Sequence, residues 1–473
     1  MQPVTYEAYK LIHDGILALG RAELQGMRVD MDYCGRKTKF LEKKILHLKD
    51  NLEETELVKV WKNRFKQKTN LKSGTQLGEI LYKVMKIEKT KMTKGGAGAT
   101  DESVLNELSE DIPGISVILE IRKLEKIKDT YLASFMREQV NGYMHPFFNL
   151  HTVVTFRSSC NSPNFQNIPK RDKEAMKICR QAIYPRPGHQ LIEIDFSGLE
   201  VMIACCYHKD PTMFKYLTDR NSDMHGDMAA QIFLIDKFDK KKFVGHKYLR
   251  DATKNSFVFP QFYGDYYKNN AIGIFKWCKL PQGKLTKSMG IEIEEGLTIG
   301  AHLISKGIKS FDDFVQHMKE IEEDFWGRRF KVYAGWKEDW YEGYLQKGYL
   351  DTLTGFRCHG EMSRNDAINY PVQGSAFHCL LWSFIQTDKL CYFEGWDSKP
   401  IGQIHDALIA DIHPGELEYV SKTIHKITTE DLPKAWPWII VPLEVEADLC
   451  EVDKPWSEKQ TYKLPEVQHV FVQ

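Results

Sequence analysis

The sequence predicts an α+β protein in which short strands draw distant parts of the chain into one antiparallel sheet, with helices making up most of the remaining length. Three observations carry this. Leu191-Ile192-Glu193-Ile194-Asp195-Phe196-Ser197-Gly198-Leu199-Glu200 alternates apolar and acidic residues, the period of a half-buried strand. It ends on a carboxylate ahead of a helix that Ser197 can cap. Ile401-Gly402-Gln403-Ile404-His405-Asp406-Ala407-Leu408-Ile409-Ala410-Asp411 sets two apolar runs around His405-Asp406, as a hairpin with the acid at its tip would. Paired in one sheet, these strands bring Asp195 and Asp406 side by side. The third observation is helical patterning over long flanking stretches.

Residues 6–50 read as helix: one closes on Gly26, a short extended piece follows, and Asp32 opens a second, rich in Lys and Leu. Residues 57–136 continue as basic helices. Asn70-Leu71-Lys72-Ser73 leads into a helix over Gln76 to Val84, Asp101 caps another, and Ile115 to Met136 forms a long amphipathic one. Lys94-Gly95-Gly96-Ala97-Gly98-Ala99-Thr100 lacks the Gly-Lys-Ser/Thr ending of a phosphate loop and reads as a linker. From Gly142 the chain turns to extended pieces. Thr155 to Pro169 is polar with two prolines, either a plain surface loop or a hydrogen-bonding template for a ligand. After Asp195 the chain is mostly helical to about residue 347. A strand at Gly348 to Leu353, a turn at Thr354-Gly355, a helix through Asn369 to Ser375, the Asp406 hairpin and a last strand over Val441 to Ala447 complete it.

The 473 residues are 42% hydrophobic and 27% charged, ordinary for a globular chain, with 65 basic and 65 acidic residues. The charge is uneven. Eleven basic residues from Lys59 to Lys94 face only Glu79 and Glu88, which suits a polyanion held on one side or a solvated helical surface. The ten cysteines are scattered with no Cys-x-x-Cys, against structural zinc and disulfides and for a reducing compartment. There is no signal peptide, membrane-length apolar run or internal repeat, so a cytoplasmic location and no membrane partner are expected.

Three segments then take on a joint meaning. Asp195-Phe196-Ser197-Gly198-Leu199-Glu200, Arg250 and Lys254 with Phe259 and Tyr263-Gly264, and His405-Asp406 resemble, in order, the three polymerase motifs of the family A DNA polymerases. Arg157 with Pro163-Asn164-Phe165-Gln166-Asn167-Ile168-Pro169, and Asn369 with Pro371-Val372-Gln373-Gly374, are similar to two segments of that family that touch the primer–template. The resemblance runs from Ala18 to Val441 and implies a right-hand polymerase. Residues 1–29 would be a helix packed on the palm, 30–140 the thumb, 141–205 and 345–473 the palm, and 206–344 the fingers. Asp195 and Asp406, with the Phe196 carbonyl, would hold two Mg²⁺ ions about 4 Å apart for nucleotidyl transfer. Arg250, Lys254 and His225 would take the triphosphate, and Lys254 would also serve the chemistry. Glu200 would exclude a 2′-hydroxyl, and Phe259 and Tyr263 would shape the nascent pair. Arg157, Asn164, Gln166, Asn369, Gln373 and His405 would contact primer and template through acceptors common to all correct pairs. The basic stretch would grip phosphates in a salt-sensitive way.

The same resemblance makes primer–template DNA and dNTPs the partners of a monomer. No proofreading domain fits ahead of Ala18, so either the polymerase module stands alone or the gene is split, with a separate exonuclease, helicase or processivity factor among the possible partners. The compact form is most similar to phage relatives, placing the protein in a bacterial or phage-infected cell. Three departures stand out. The family usually places an aromatic four residues after the Lys; here Val258 is four after and Phe259 five after, so one residue is inserted. A π turn or kink between Asn255 and Pro260 is expected to return Phe259 to the nucleotide-facing stripe. Ala407 stands where the last motif often has Glu, and Gly198 replaces a polar residue. The rivals are a single-subunit RNA polymerase and a non-catalytic DNA-binding relative. Glu200 opposes the first; both acids and the Arg–Lys pair oppose the second.

Overall fold

A computed structural model describes residues 2–467 apart from Thr90, Lys94, Arg171 and Arg220. Its centre is a five-stranded antiparallel sheet. Strand β1 (Gln190–Phe196) is in the middle, flanked by the hairpin of β2 (Lys399–Ile404) and β3 (Ala407–Ile412) on one side and by β4 (Val445–Leu449) and β5 (Gln460–Tyr462) on the other, in the order β2-β3-β1-β4-β5. The α+β class is as expected. The last strand starts later than expected, and β5 was not foreseen.

Strand β1 also departs from the half-buried expectation, because both its faces are covered. Ile192 and Ile194 pack on one side, while on the other Glu193 is sealed under Arg180 and Trp456. A charge survives there because Arg180 Nη1 at 3.3 Å and Lys459 Nζ at 2.7 Å pair with it and the Trp456 indole N–H donates to it at 3.0 Å.

Helix α1 (Tyr6–Gln25) starts at Thr5, whose hydroxyl accepts from Ala8 N, and stops at Gly26, which has φ 66°. A Cβ on Gly26 would lie 2.7 Å from the Met144 carbonyl, so only glycine fits both the turn and the contact. Helix α2 (Met31–Glu53) is capped by Asp30, not Asp32: the Asp30 carboxylate accepts from Tyr33 N at 2.8 Å. The N-terminus adds Gln2–Pro3 as an edge strand on Phe356–His359, a long-range pairing that the helical reading of this end did not contain.

Between Glu56 and Glu138 lie separate helices joined by loops, as expected, with Ser73 and Asp101 capping two of them. The helix led by Ser73 begins at Gly74 and finishes as a π turn, Ile80–Val84. Of the linker Lys94 to Thr100, Lys94 lies outside the described residues. The positive excess read over 59–94 is partly cancelled from outside the window. Lys59, Lys62, Lys72 and Lys91 pair with Glu56, Glu53, Glu125 and Asp101, and Arg64 pairs with Glu79. Lys66, Lys68, Lys83, Lys86 and Lys89 have no ion pair among the described residues.

The segment after β1 holds helices α3 (Leu199–His208), α4 (Met224–Ile232) and α5 (Val244–Thr253), interrupted later by a small hairpin, Glu292–Glu294 with Leu297–Thr298. Helix α6 (Arg364–Glu394) crosses the core for 31 residues despite Pro371 inside it. Pro371 has no N–H for the Ala367 carbonyl, and the Trp340 indole N–H donates to that carbonyl instead at 3.1 Å. No helix among the described residues is long and apolar enough to cross a membrane.

Candidate active site

Asp195 is the last residue but one of β1, in register with Ala407 on β3 and Glu446 on β4. The β2–β3 turn is His405-Asp406, with His405 at φ 53°. Phe196 N donates to the Asp406 carbonyl at 3.2 Å, which locks the turn against the end of β1 and brings the two acids together. Asp195 is 35% exposed, with Lys170 Nζ at 3.3 Å from its Oδ2. Asp406 is half-buried, and its carboxylate receives no hydrogen bond among the described residues. Burial, then the nearby charges of Glu200 and Asp195, push its pKa up to about 6, against the pull of Arg157 and Lys170. The Asp406 oxygens, and the Asp195 carboxylate with its single exposed lysine contact, are hard oxygens that fit a hard divalent cation. Among the described residues no group of three His, Cys, Asp or Glu side chains is gathered closely enough to hold a metal alone. Ala407 is buried on the same face, so it supplies no third acid, and Glu446 is the exposed carboxylate on Asp195's other side.

Helix α3 begins beside this pair. Ser197 does not cap it; Gly198, at φ 65°, makes the turn in, a conformation that favours glycine over the polar residue expected there. Glu200 then faces the acids. Its carboxylate accepts from Arg157 Nη1 at 3.2 Å and from the Tyr263 hydroxyl. Burial and Glu200 raise the Tyr263 pKa. Glu200, Phe259, Tyr263, Asn369 and Gln373 line one small cavity.

The second wall is built on α5. The helix continues through a π turn at Lys254–Val258 into Phe259–Phe262, with Phe259 N donating to the Lys254 carbonyl five residues back. The inserted residue is absorbed there, as expected. The ring of Phe259 stands on the Lys254 side, with Nζ 5.3 Å from its centroid and the His225 ring edge-on at 5.7 Å. His225 Nδ1 is buried without a partner among the described residues, and burial, Arg250 and Lys254 hold its pKa down to about 4. Arg250 is held by Asp223, its Nε lying 3.0 and 2.8 Å from the two carboxylate oxygens.

Of the remaining candidates, Gln166 and His405 line a cleft of about 770 Å³, together with Lys170, Arg122, Lys123 and Tyr131. Gln166 donates to Ser158 Oγ at 2.7 Å and to the Gln403 carbonyl at 3.5 Å. Asn164 caps its own turn, accepting from Asn167 N at 3.1 Å. Arg157 is drawn to Glu200 and so stands with Glu200 and Tyr263. Sequence reasoning missed Lys170 and Asp223. The first directly follows the Pro169 that closes the polar stretch, and the second lies two residues before His225, so their positions were a signal.

A profile of DNA polymerase family A matches residues 38–268 and 315–457. The chain belongs to DNA polymerase family A. Among family members it is 27% identical over 455 residues to DNA polymerase I of Pseudomonas aeruginosa, covering 93% of this chain and 43% of that one. It is 32% identical over 435 residues to DNA polymerase I of Caldicellulosiruptor bescii, covering 91% and 45%. With DNA polymerase I of Aquifex aeolicus it shares 26% identity over 437 residues, covering 92% and 65%. The chain thus spans less than half the length of the first two relatives. The fold is shared with the POL domain of Pol1 from M. smegmatis, solved in complex with DNA primer-template and dNTP. The TM-score is 0.71 at 22% identity, covering 94% of this chain and 70% of that one.

Proposed function

We propose that this chain is a template-directed DNA polymerase that adds deoxynucleotides to a primer 3′-hydroxyl and releases pyrophosphate. The observation that carries the reading is the locking of Asp406 against the end of β1, beside Asp195, together with the two cations Arg250 and Lys254 gathered next to the uncharged His225 ring. Two Mg²⁺ ions at Asp195, Asp406 and the Phe196 carbonyl would supply a more nucleophilic 3′-hydroxyl and neutralise the leaving charge.

The chain's own residues do the rest. Arg250, Lys254 and His225 bind the triphosphate, with Lys254 nearest the chemistry. Glu200, fixed by Arg157 and Tyr263, fills the space of a 2′-hydroxyl. Phe259 and Tyr263 bound the new pair. Asn164, Gln166, Asn369, Gln373 and His405 meet the primer–template, and Arg157 supports it through Glu200. In this reading 30–140 is the thumb, 206–344 the fingers, and 141–205 with 345–473 the palm, with 1–29 packed on it. Primer–template DNA and dNTPs are the partners; exonuclease, helicase or processivity functions fall to other chains or segments.

Primer extension with Mg²⁺ tests this. The wild type should extend with dNTPs and not with ribonucleotides. Asp406→Ala should lose about a thousandfold or more in rate while still binding primer–template. A wild type that binds DNA and never extends it would overturn the reading.

A further inference from the structure

The run Lys240-Lys241-Lys242 lies between α4 and α5 and has no place in the motifs above. Asp239 opens the turn, its carboxylate accepting from Lys241 N at 2.9 Å and Lys242 N at 3.0 Å. That turn sends the Lys240 side chain back to Asp223, where its ammonium pairs with the carboxylate that also holds Arg250. Two cations therefore share one partly buried acid, next to His225 and one helical turn from Lys254. The cluster sets the cations Lys240, Arg250 and Lys254 against Asp223, with the half-buried Asp251 carboxylate 3.8 Å from Arg250 and Asp239 engaged by the backbone of its own turn. These ion pairs are partly exposed, so the cations stay available to a stronger anion. A terminal phosphate, with close to two charges and three acceptor oxygens, is such an anion.

We propose that Lys240 is a further triphosphate-binding residue, directed at the terminal phosphate, and that Asp223 orients Lys240 and Arg250 for it. This rests on the polymerase reading above. It adds to that reading a contact that separates a nucleoside triphosphate from a diphosphate, because only the third phosphate reaches Lys240.

The test measures binding of a dNTP and the matching dNDP to the enzyme on a dideoxy-terminated primer–template, so that no turnover is needed. It is run beside steady-state extension. For Lys240→Gln the dNTP KM and Kd should rise about tenfold, with kcat within about twofold and the dNDP Kd unchanged. Lys240→Arg should restore the preference for triphosphate, and Lys241→Ala should leave it intact. If Lys240→Gln keeps the wild-type preference, or weakens dNTP and dNDP equally, the proposal falls. Either result can occur in an enzyme that still extends primers; a wild type that never extends them defeats the polymerase reading itself, a different outcome.

Discussion

Glu193 and Asp195 stand two residues apart on β1 and point to the same face of the sheet, yet their surroundings are opposite. Glu193 is 5% exposed and fully committed, to Arg180, Lys459 and Trp456. Asp195 is 35% exposed and meets one lysine that is itself 51% exposed. The difference teaches where a strand stores stability and where it keeps chemistry. Inside the sheet, a carboxylate must have its partners built in; at the strand end, one can be left for a ligand.

Removing each acid is the sharpest way to break the comparison. Asp195→Ala should cost about a thousandfold or more in primer extension while unfolding stability stays within about 0.5 kcal/mol, as read by denaturant titration. Glu193→Ala should instead lose about 3–5 kcal/mol of stability, because it leaves Arg180 buried and unpaired. Equal effects of the two on stability would erase the contrast.

Buried histidines extend the comparison to pH. His208 and His378 are buried, and burial holds both pKa values down to about 3. The folded state therefore refuses a proton that the unfolded chain accepts near 6.5. Their contribution is whole above that pH and is lost as pH falls toward 3, at about 1.4 kcal/mol per histidine per pH unit. Urea unfolding at pH 7, 6 and 5 should show the decline begin near 6.5; a flat profile would count against it. The smallest effect belongs to the open end of the strand. Lys170→Ala should change stability by less than about 1 kcal/mol, since its pair with Asp195 is exposed. A larger loss in the same titration would mean that the strand end is a built structural site after all.

The two acids were legible because motif spacing and strand alternation both survive in one dimension. So was the π turn, because an inserted residue is a count. The burial of Glu193 was not, since Trp456 and Lys459 arrive from more than 260 positions away. The partial neutralisation of the 59–94 window was hidden for the same reason: Glu53, Glu125 and Asp101 lie outside it and close on it only in the fold. Ser197 looked like a cap, but a left-handed Gly198 already turns the chain, and no side-chain cap forms. Local propensity cannot see which of two neighbouring solutions the packing will use.

The widened turn at Lys254–Val258 has a consequence for how such chains diverge. An extra residue in a helix ordinarily rotates everything beyond it by about 100°. Here the added rotation is spent within one loop of backbone, so Phe259 and Tyr263 both face the cavity they share with Glu200. Length can therefore drift at this point while the compass of the side chains holds.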